Sequence, residues 1–296
     1  MYESHFGFAE LPFGLTPNTH FFLNANSHQQ ALNLLHISLS QGEGFIKIVG
    51  EVGTGKTLLC RKLLQSLDAE NDFVSAYIPN PYLTPDELRY AIADEIGVEY
   101  EIGMPSHQLL KLINDKLLEY AAHIQKVVLV IDEAQAMPLE TLEALRLMTN
   151  LETEREKLMQ VVLFGQPELD VVLCRDNMRQ LLQRISFSFQ LKPLDRQESR
   201  NYLNYRAQTA GFAGDGLFSE KASSLLYSAS GGVPRVLNIL AHKSLMSAYG
   251  KGQNFVDKQH VKAAVEDTEG VNKLVWAHWL FSWLVIVSLI PAGWLP

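Results

Sequence analysis

Short β-rich runs punctuate the first two thirds of the chain, at 44–49 (GFIKIV), Phe73–Ile78 (FVSAYI), 127–131 (VVLVI) and 161–164 (VVLF). A nearly continuous apolar strand, bounded by turn signals and lacking period-two alternation, is buried on both faces, which predicts a parallel sheet flanked by helices. Between these runs the apolar period lengthens to that of a helix. LLCRKLLQSL follows the first run, and Thr84-Pro85-Asp86-Glu87 is a capping box with proline at the first helical position. Ser106 opens a further amphipathic helix. After Pro193-Leu194-Asp195 the pattern is wholly helical, over Arg196–Thr209, 219–230, 234–249 and 257–267. The expected architecture is α/β, an αβα sandwich over residues 1–195, followed by a small helical bundle over 196–270.

The two ends depart from this pattern. FGFAELPFGLTPNTHFF near the start mixes aromatics with Pro12, Pro17 and Asn18, has neither helical nor strand period, and reads as an ordered, packed loop segment. Residues 274–296 contain no Asp, Glu, Lys or Arg and hold all four tryptophans, Trp276, Trp279, Trp283 and Trp294. Lys262 and Lys273 precede the run. Such a stretch predicts a hydrophobic helix and a C-terminal membrane anchor, with the bulk of the chain in the cytoplasm. A buried or interfacial hydrophobic helix is the alternative, because the stretch before Pro291 is short for a span. The start, MYESHFGFAELPF, lacks a basic n-region and an unbroken apolar run, so no secretory signal is expected.

Composition narrows the class. Hydrophobic residues make up 47% and charged residues 20%, which excludes collagen-like and disordered chains. A formal charge of -8 argues against a broad nucleic-acid footprint. Cys60 and Cys174 match no metal-ligand or disulfide-scaffold spacing.

The first run leads directly into Gly50-Glu51-Val52-Gly53-Thr54-Gly55-Lys56-Thr57, a G-x-x-x-x-G-K-T loop with a helix behind it. Its glycines let successive backbone N–H groups converge on phosphates at a positive helix end; Lys56 reaches the β and γ oxygens, and Thr57 offers a hydroxyl to Mg²⁺. The run at 127–131 ends in Asp132-Glu133, an acid where ligands bind in open α/β sheets. Asp132 is the expected second Mg²⁺ contact, through water, and Glu133 the group that polarises the attacking water. The competing reading is that Asp132 and Glu133 simply start the next helix, where acids suit the positive end. No guanine-reading N-K-x-D follows, so ATP is the inferred nucleotide, and the aromatic N-terminal segment is a candidate base pocket.

HFGFAELPFGLTPN, GFIKIVGEVGTGKT, VLVIDEAQ, LEALRLMTNLE, VVLFGQPEL, QRISFSFQLKPL and GGVPRVLNIL together resemble the AAA+ branch of P-loop ATPases. More narrowly, they resemble the ExeA/GspA-like secretion ATPases and, within these, the branch serving MSHA (type IV) pilus biogenesis. The resemblance covers about residues 1–270. It implies that Gln166 is sensor 1, orienting the attacking water, where the plain alternative is a glutamine starting the turn before Pro167. It implies that Arg184 is an arginine finger acting on a neighbouring subunit of a homo-oligomeric ring, rather than a surface arginine ending a helix. Arg235, in Gly231-Gly232-Val233-Pro234-Arg235, is similar to sensor 2 on a lid helix. Arg146 and Asn150 recur in the pattern without a role beyond contacts between subunits. The implied function is a membrane-anchored ATP hydrolase that works with pilus or secretion assembly proteins of the inner membrane. Secretion-type relatives carry a periplasmic peptidoglycan-binding domain after the span, an activity not expected of this chain. The alternatives are a DNA-associated AAA+ regulator of the transposition or replication type and a slow nucleotide switch.

Overall fold

The computed structural model describes residues 2–271 apart from 102, 151–156, 215 and 270. The chain opens with α1 (Glu3–Phe6) and a 3-10 turn (Thr19–Phe21), then α2 (Asn26–Ser40), β1 (Phe45–Gly50) and α3 (Lys56–Asp68). β2 (Phe73–Ile78), α4 (Pro85–Glu95), α5 (Ser106–Ala122) and β3 (Lys126–Ile131) follow, and a 3-10 turn (Ala134–Ala136) leads to α6 (Leu139–Met148). β4 (Met159–Gly165), α7 (Glu168–Leu173), α8 (Arg179–Leu182) and β5 (Ile185–Leu191) come next. The remaining described elements are α9 (Arg196–Thr209), α10 (Glu220–Ser230), α11 (Pro234–Gly250) and α12 (Lys258–Glu266).

Contacts divide the described residues into two compact units, Asn24–Lys192 in one, and those up to Leu23 together with those from Pro193 onward in the other. The first is the sheet unit. Its five described strands run in the order β2-β3-β4-β1-β5 and pair in parallel throughout. Every residue of β1 and β4 is buried, whereas the edge strand β5 alternates between half-buried and exposed until its last residue. Val127, Leu129, Ile131, Val161 and Leu163 join Leu88, Ile92, Leu109, Ile113, Leu142 and Leu145 in one core under α4, α5 and α6. The alternating positions Val128, Val130, Val162, Phe164, Ile46 and Ile48 are equally buried and face the other way, where α2 and α3 pack. The expected parallel sheet between two helical layers is therefore present. Thr84 and Glu87 form both halves of the anticipated capping box at α4.

The chain leaves β1 for the far edge at β2 and returns through β3 and β4 to the side of β1. Register pairs Val49 with Gly165 and Ile131 with Leu163, so the strand ends carrying Gly50, Asp132 and Gln166 reach one edge of the sheet. That edge lies outside the carboxyl ends of parallel strands, where α/β folds bind ligands.

The helical unit gathers α9 to α12 around the N-terminal segment. Arg206 of α9 is buried; its Nε donates to Pro12 O at 2.6 Å, and its guanidinium lies 4.6 Å from the Phe21 ring centroid. Ala9 N donates to Ala210 O at 2.7 Å. The N-terminal segment, grouped with the ATPase core in a 1–195 domain by its sequence position, is thus part of the helical unit. Its aromatics are buried, and its carbonyls satisfy a buried guanidinium of α9. The hydrophobic tail expected at 274–295 lies outside the described residues. Among the described residues no helix is long and apolar enough to cross a membrane.

Candidate nucleotide-binding and hydrolysis site

The loop between β1 and α3 has the form its glycines require. Gly53 and Gly55 take φ of 82° and 100°, in the region L side chains disfavour. A Cβ at Gly55 would lie 3.0 Å from Nε2 of buried His28, which is hydrogen-bonded at 3.0 Å to Thr54 O. At Gly50 a Cβ would lie 2.9 Å from the Thr54 hydroxyl oxygen and 3.2 Å from Leu191 O. The loop is a bare backbone cradle around the start of a thirteen-residue helix, whose unpaired N–H groups and dipole favour an anion.

Lys56 begins that helix and is buried. Its Nζ donates to Gly50 O at 2.8 Å and to Glu51 O at 3.0 Å, holding the ammonium inside the loop. Burial pushes its pKa down, while Glu133, Asp132, Glu51 and Glu168, in that order, pull it up. Burial disfavours the charged form of Lys56, and the four carboxylates act against that.

Asp132 follows β3 and is almost fully buried. Burial raises its pKa; a hydrogen bond from the Thr57 hydroxyl and one from Glu133 N at 2.9 Å act against that rise. Thr57 and Asp132, expected to share a cation, are therefore in contact. A hydroxyl and a carboxylate are the hard oxygen donors that Mg²⁺ accepts when substrate phosphates complete its shell. The chemistry and the cradle fit a magnesium nucleotide.

Glu133 does not start an α-helix. It adopts a left-handed conformation, φ 52° and ψ 39°, and the helical pattern resumes only at Leu139, after the 3-10 turn and Pro138. The reversal brings its carboxylate to the end of β4, where Gln166 Nε2 donates to Glu133 Oε2 at 2.8 Å. Gln135 Nε2 donates to the same oxygen at 2.5 Å, and Gln135 Oε1 accepts from Gln166 N at 2.9 Å. Burial alone would raise the Glu133 pKa, but the hydrogen bonds from Gln166 and Gln135, then the Lys56 charge, outweigh it and leave the carboxyl below its ordinary value. Gln135 stands in the recognisable VIDEAQ run, yet nothing in sequence spacing reveals that its amide bridges two strand ends.

Arg184 lies one residue before β5, not at the end of a long helix. Its guanidinium donates to Arg146 O at 3.2 Å and to the Thr149 hydroxyl at 3.3 Å, and it also bonds the Asn150 side chain. Arg146 is itself held by Glu143 at 2.6 Å. Arg146 and Asn150, which had no assigned role, are thus parts of the Arg184 seat. Arg235 belongs to the helical unit, in the first turn of α11 behind Pro234. The aromatics proposed for a base pocket, Phe6, Phe8, Phe13 and Phe21, are buried in the helical unit.

A glycine cradle with a buried lysine, a carboxylate beside a hydroxyl, and a second carboxylate fixed by amides stand at one edge of a P-loop, AAA-type α/β fold. Residues 39–173 match the family described as AAA domain. Over 295 residues the chain is 39% identical to General secretion pathway protein A of Aeromonas hydrophila, a match that covers 99% of this chain and 53% of the relative. The two are related, and the chain spans about half the length of that relative. Among solved structures it is similar to Cdc6p from Pyrobaculum aerophilum, with a TM-score of 0.66 at 21% identity, covering 93% of this chain and 73% of that one. It is also similar to the ORC1 protein of Aeropyrum pernix in complex with DNA, with a TM-score of 0.61 at 19% identity, covering 84% and 67%. The RuvB Holliday junction branch migration motor of Thermotoga maritima gives 0.55 at 16%, covering 83% and 72%. At these identities the likeness establishes the fold alone.

Proposed function

We propose that this chain binds and hydrolyses ATP with Mg²⁺ and uses the turnover to support assembly of a secretion or type IV pilus machine. The observation that carries the hydrolytic reading is Glu133. It is a carboxylate whose pKa is lowered by hydrogen bonds from Gln166 and Gln135 and by the Lys56 charge, in the residue that follows Asp132. The loop N–H groups and Lys56 hold the phosphates, with Lys56 exchanging its loop carbonyls for phosphate oxygens. Thr57 and Asp132 hold the cation. A bound nucleotide would supply the scissile phosphoanhydride, and Mg²⁺ held by Thr57 and Asp132 would neutralise phosphate charge. Gln166 orients water, and Glu133 takes its proton as the water oxygen bonds the γ phosphorus and the bond to the β–γ bridging oxygen breaks, releasing ADP and phosphate. Arg184 supplies positive charge to a neighbouring subunit of a ring, and Arg235 acts from the lid.

The wider role follows the relationship to General secretion pathway protein A. The finer assignment is to the MSHA pilus biogenesis protein MshM, working at the bacterial inner membrane through 274–295 with envelope assembly proteins as partners. Two measurements test this proposal. ADP release by the purified chain, lost in Glu133→Gln while ATP binding persists, supports the hydrolase; full turnover in that variant rejects it. Resistance of the full chain to an alkaline membrane wash, with a chain ended at Asn272 released, supports the anchor; release of both rejects it.

A second reading is a DNA-associated regulator of the transposition or replication type; Cdc6p, ORC1 and RuvB share the fold and carry no more than that. The charge of -8 opposes it. ATP-dependent duplex binding that weakens steeply with salt would decide for it.

A further inference from the structure

We propose that Gln135 is a positioning residue for the hydrolytic centre: anchored on the backbone of Gln166, its side-chain amide fixes the Glu133 carboxylate for its encounter with water. This rests on Glu133 acting as the base. The orientation of the amide follows from its partners. A backbone N–H can only donate, so the group 2.9 Å from Gln166 N is the oxygen of Gln135. The other end must then be the NH₂, which can only donate, and it meets Glu133 Oε2 at 2.5 Å. The same oxygen receives Gln166 Nε2 at 2.8 Å. Both amides converge on Oε2, which leaves Oε1 as the oxygen that accepts from water.

The surroundings hold this arrangement in register. Gln135 sits in the 3-10 turn that begins at left-handed Glu133 and is closed by Ala136 N donating to Glu133 O at 2.8 Å. On the β4 side, a Cβ at Gly165 would lie 3.4 Å from Gln135 Oε1 and 2.7 Å from Leu169 Cδ2. The amide therefore lies against bare backbone, and α7 closes the space around it. Gln135 ties the end of β3 to the end of β4 through one rigid planar group. Its side-chain hydrogen bonds go to Glu133 and to Gln166 N, so its removal acts first on the carboxylate. A single misplaced catalytic group costs roughly tenfold to a hundredfold in rate.

The test uses the full chain and three substitutions, Gln135→Ala, Gln135→Glu and Glu133→Gln, with kcat, KM, affinity for a fluorescent ATP analogue and melting temperature measured for each. Gln135→Ala is expected to lower kcat by about tenfold to a hundredfold, with KM and affinity within about twofold. Gln135→Glu keeps the length and still accepts from Gln166 N, but sets a second carboxylate against Glu133, so it is expected to lose kcat as well. Combining Gln135→Ala with Glu133→Gln should slow turnover no further than Glu133→Gln alone, whereas a structural role would cost the same factor again and would overturn the inference. The second readout is hydrogen exchange of the Gln135 side-chain amide by ¹⁵N NMR. Protection that disappears in Glu133→Ala supports the contact; protection that persists there, or is absent throughout, overturns it. Unchanged kcat in Gln135→Ala beside an inactive Glu133→Gln overturns this inference alone. Full turnover in Glu133→Gln overturns the hydrolytic reading and this inference with it. If the chain alone does not turn over ATP, the amide exchange decides.

Discussion

The guanidinium of Arg184, immediately before β5, is bonded to the side chain of Asn150, two residues past the end of α6. Two further acceptors, Arg146 O and the Thr149 hydroxyl, belong to the same helix end, so the cation sits at the negative end of α6. Arg184→Ala should retain nucleotide binding and lose most turnover. Mixing it with Lys56→Ala should restore part of the activity, because each supplies what the other lacks; absence of rescue where rings form rejects a finger acting across subunits. Asn150→Ala leaves two of three contacts and should lower kcat only severalfold.

Lys56→Ala removes a buried ammonium that faces Glu133, Asp132, Glu51 and Glu168. Charge-assisted contacts to phosphate are about twice as strong as neutral ones, so ATP affinity should fall by roughly a hundredfold or more, read by equilibrium titration. Affinity within a factor of about three of the unsubstituted chain would remove the cradle assignment.

Gly55→Ala places a side chain at φ 100° and 3.0 Å from buried His28. The strained backbone costs of order 1–3 kcal/mol, which should appear as a lower melting temperature together with weaker nucleotide binding. A melting temperature equal to that of the unsubstituted chain would show that the loop adapts.

Gly232→Ala is the equivalent test of the helical unit. Its φ is 75°, and a Cβ there would fall 1.9 Å from Leu194 O, with Gly232 O accepting from Leu194 N at 3.0 Å. Backbone has to move, so this substitution should destabilise more than Gly55→Ala does, as measured by urea unfolding.

His260 carries the pH prediction. Its Nδ1 accepts from Asp257 N at 3.0 Å in the capping box of α12, so protonation removes the acceptor. Burial lowers its pKa below 6.5, the Lys251 charge adds to that, and Asp257 opposes it. The unfolded chain therefore binds more protons, and the stabilisation present above the ordinary value is lost as pH falls from about 6.5 towards the folded value. Melting temperature should be lower at acid than at neutral pH. His260→Gln, which preserves a capping box without a titrating ring, should flatten that dependence; an unchanged slope assigns the effect elsewhere.

Much of the architecture is legible in residue order because it rests on local rules. Buried parallel strands require the unbroken apolar runs at β1, β3 and β4, and the capping box at Thr84 fixes the start of α4 to the residue. β5 is harder to read. At the sheet edge ISFSFQL alternates, and its first residues border no buried layer on one side. The glycines and lysine of the phosphate loop are equally legible, since close backbone approach to an anion tolerates few other residues at those places.

Sequence alone determined the parallel α/β core, the phosphate cradle, the acidic pair after β3 and the helical pattern beyond Asp195. Each depends on interactions within a few residues or on burial along one strand. Tertiary structure decided the rest. It turned Glu133 away from a helix and towards β4, bridged it to Gln166 through Gln135, seated Arg184 on the end of α6, and joined the first 23 residues to α9 through Arg206. Those contacts link residues that are remote in the chain, or depend on a single left-handed backbone angle. Their partners are chosen by the packing of strand and helix ends, which no local spacing encodes.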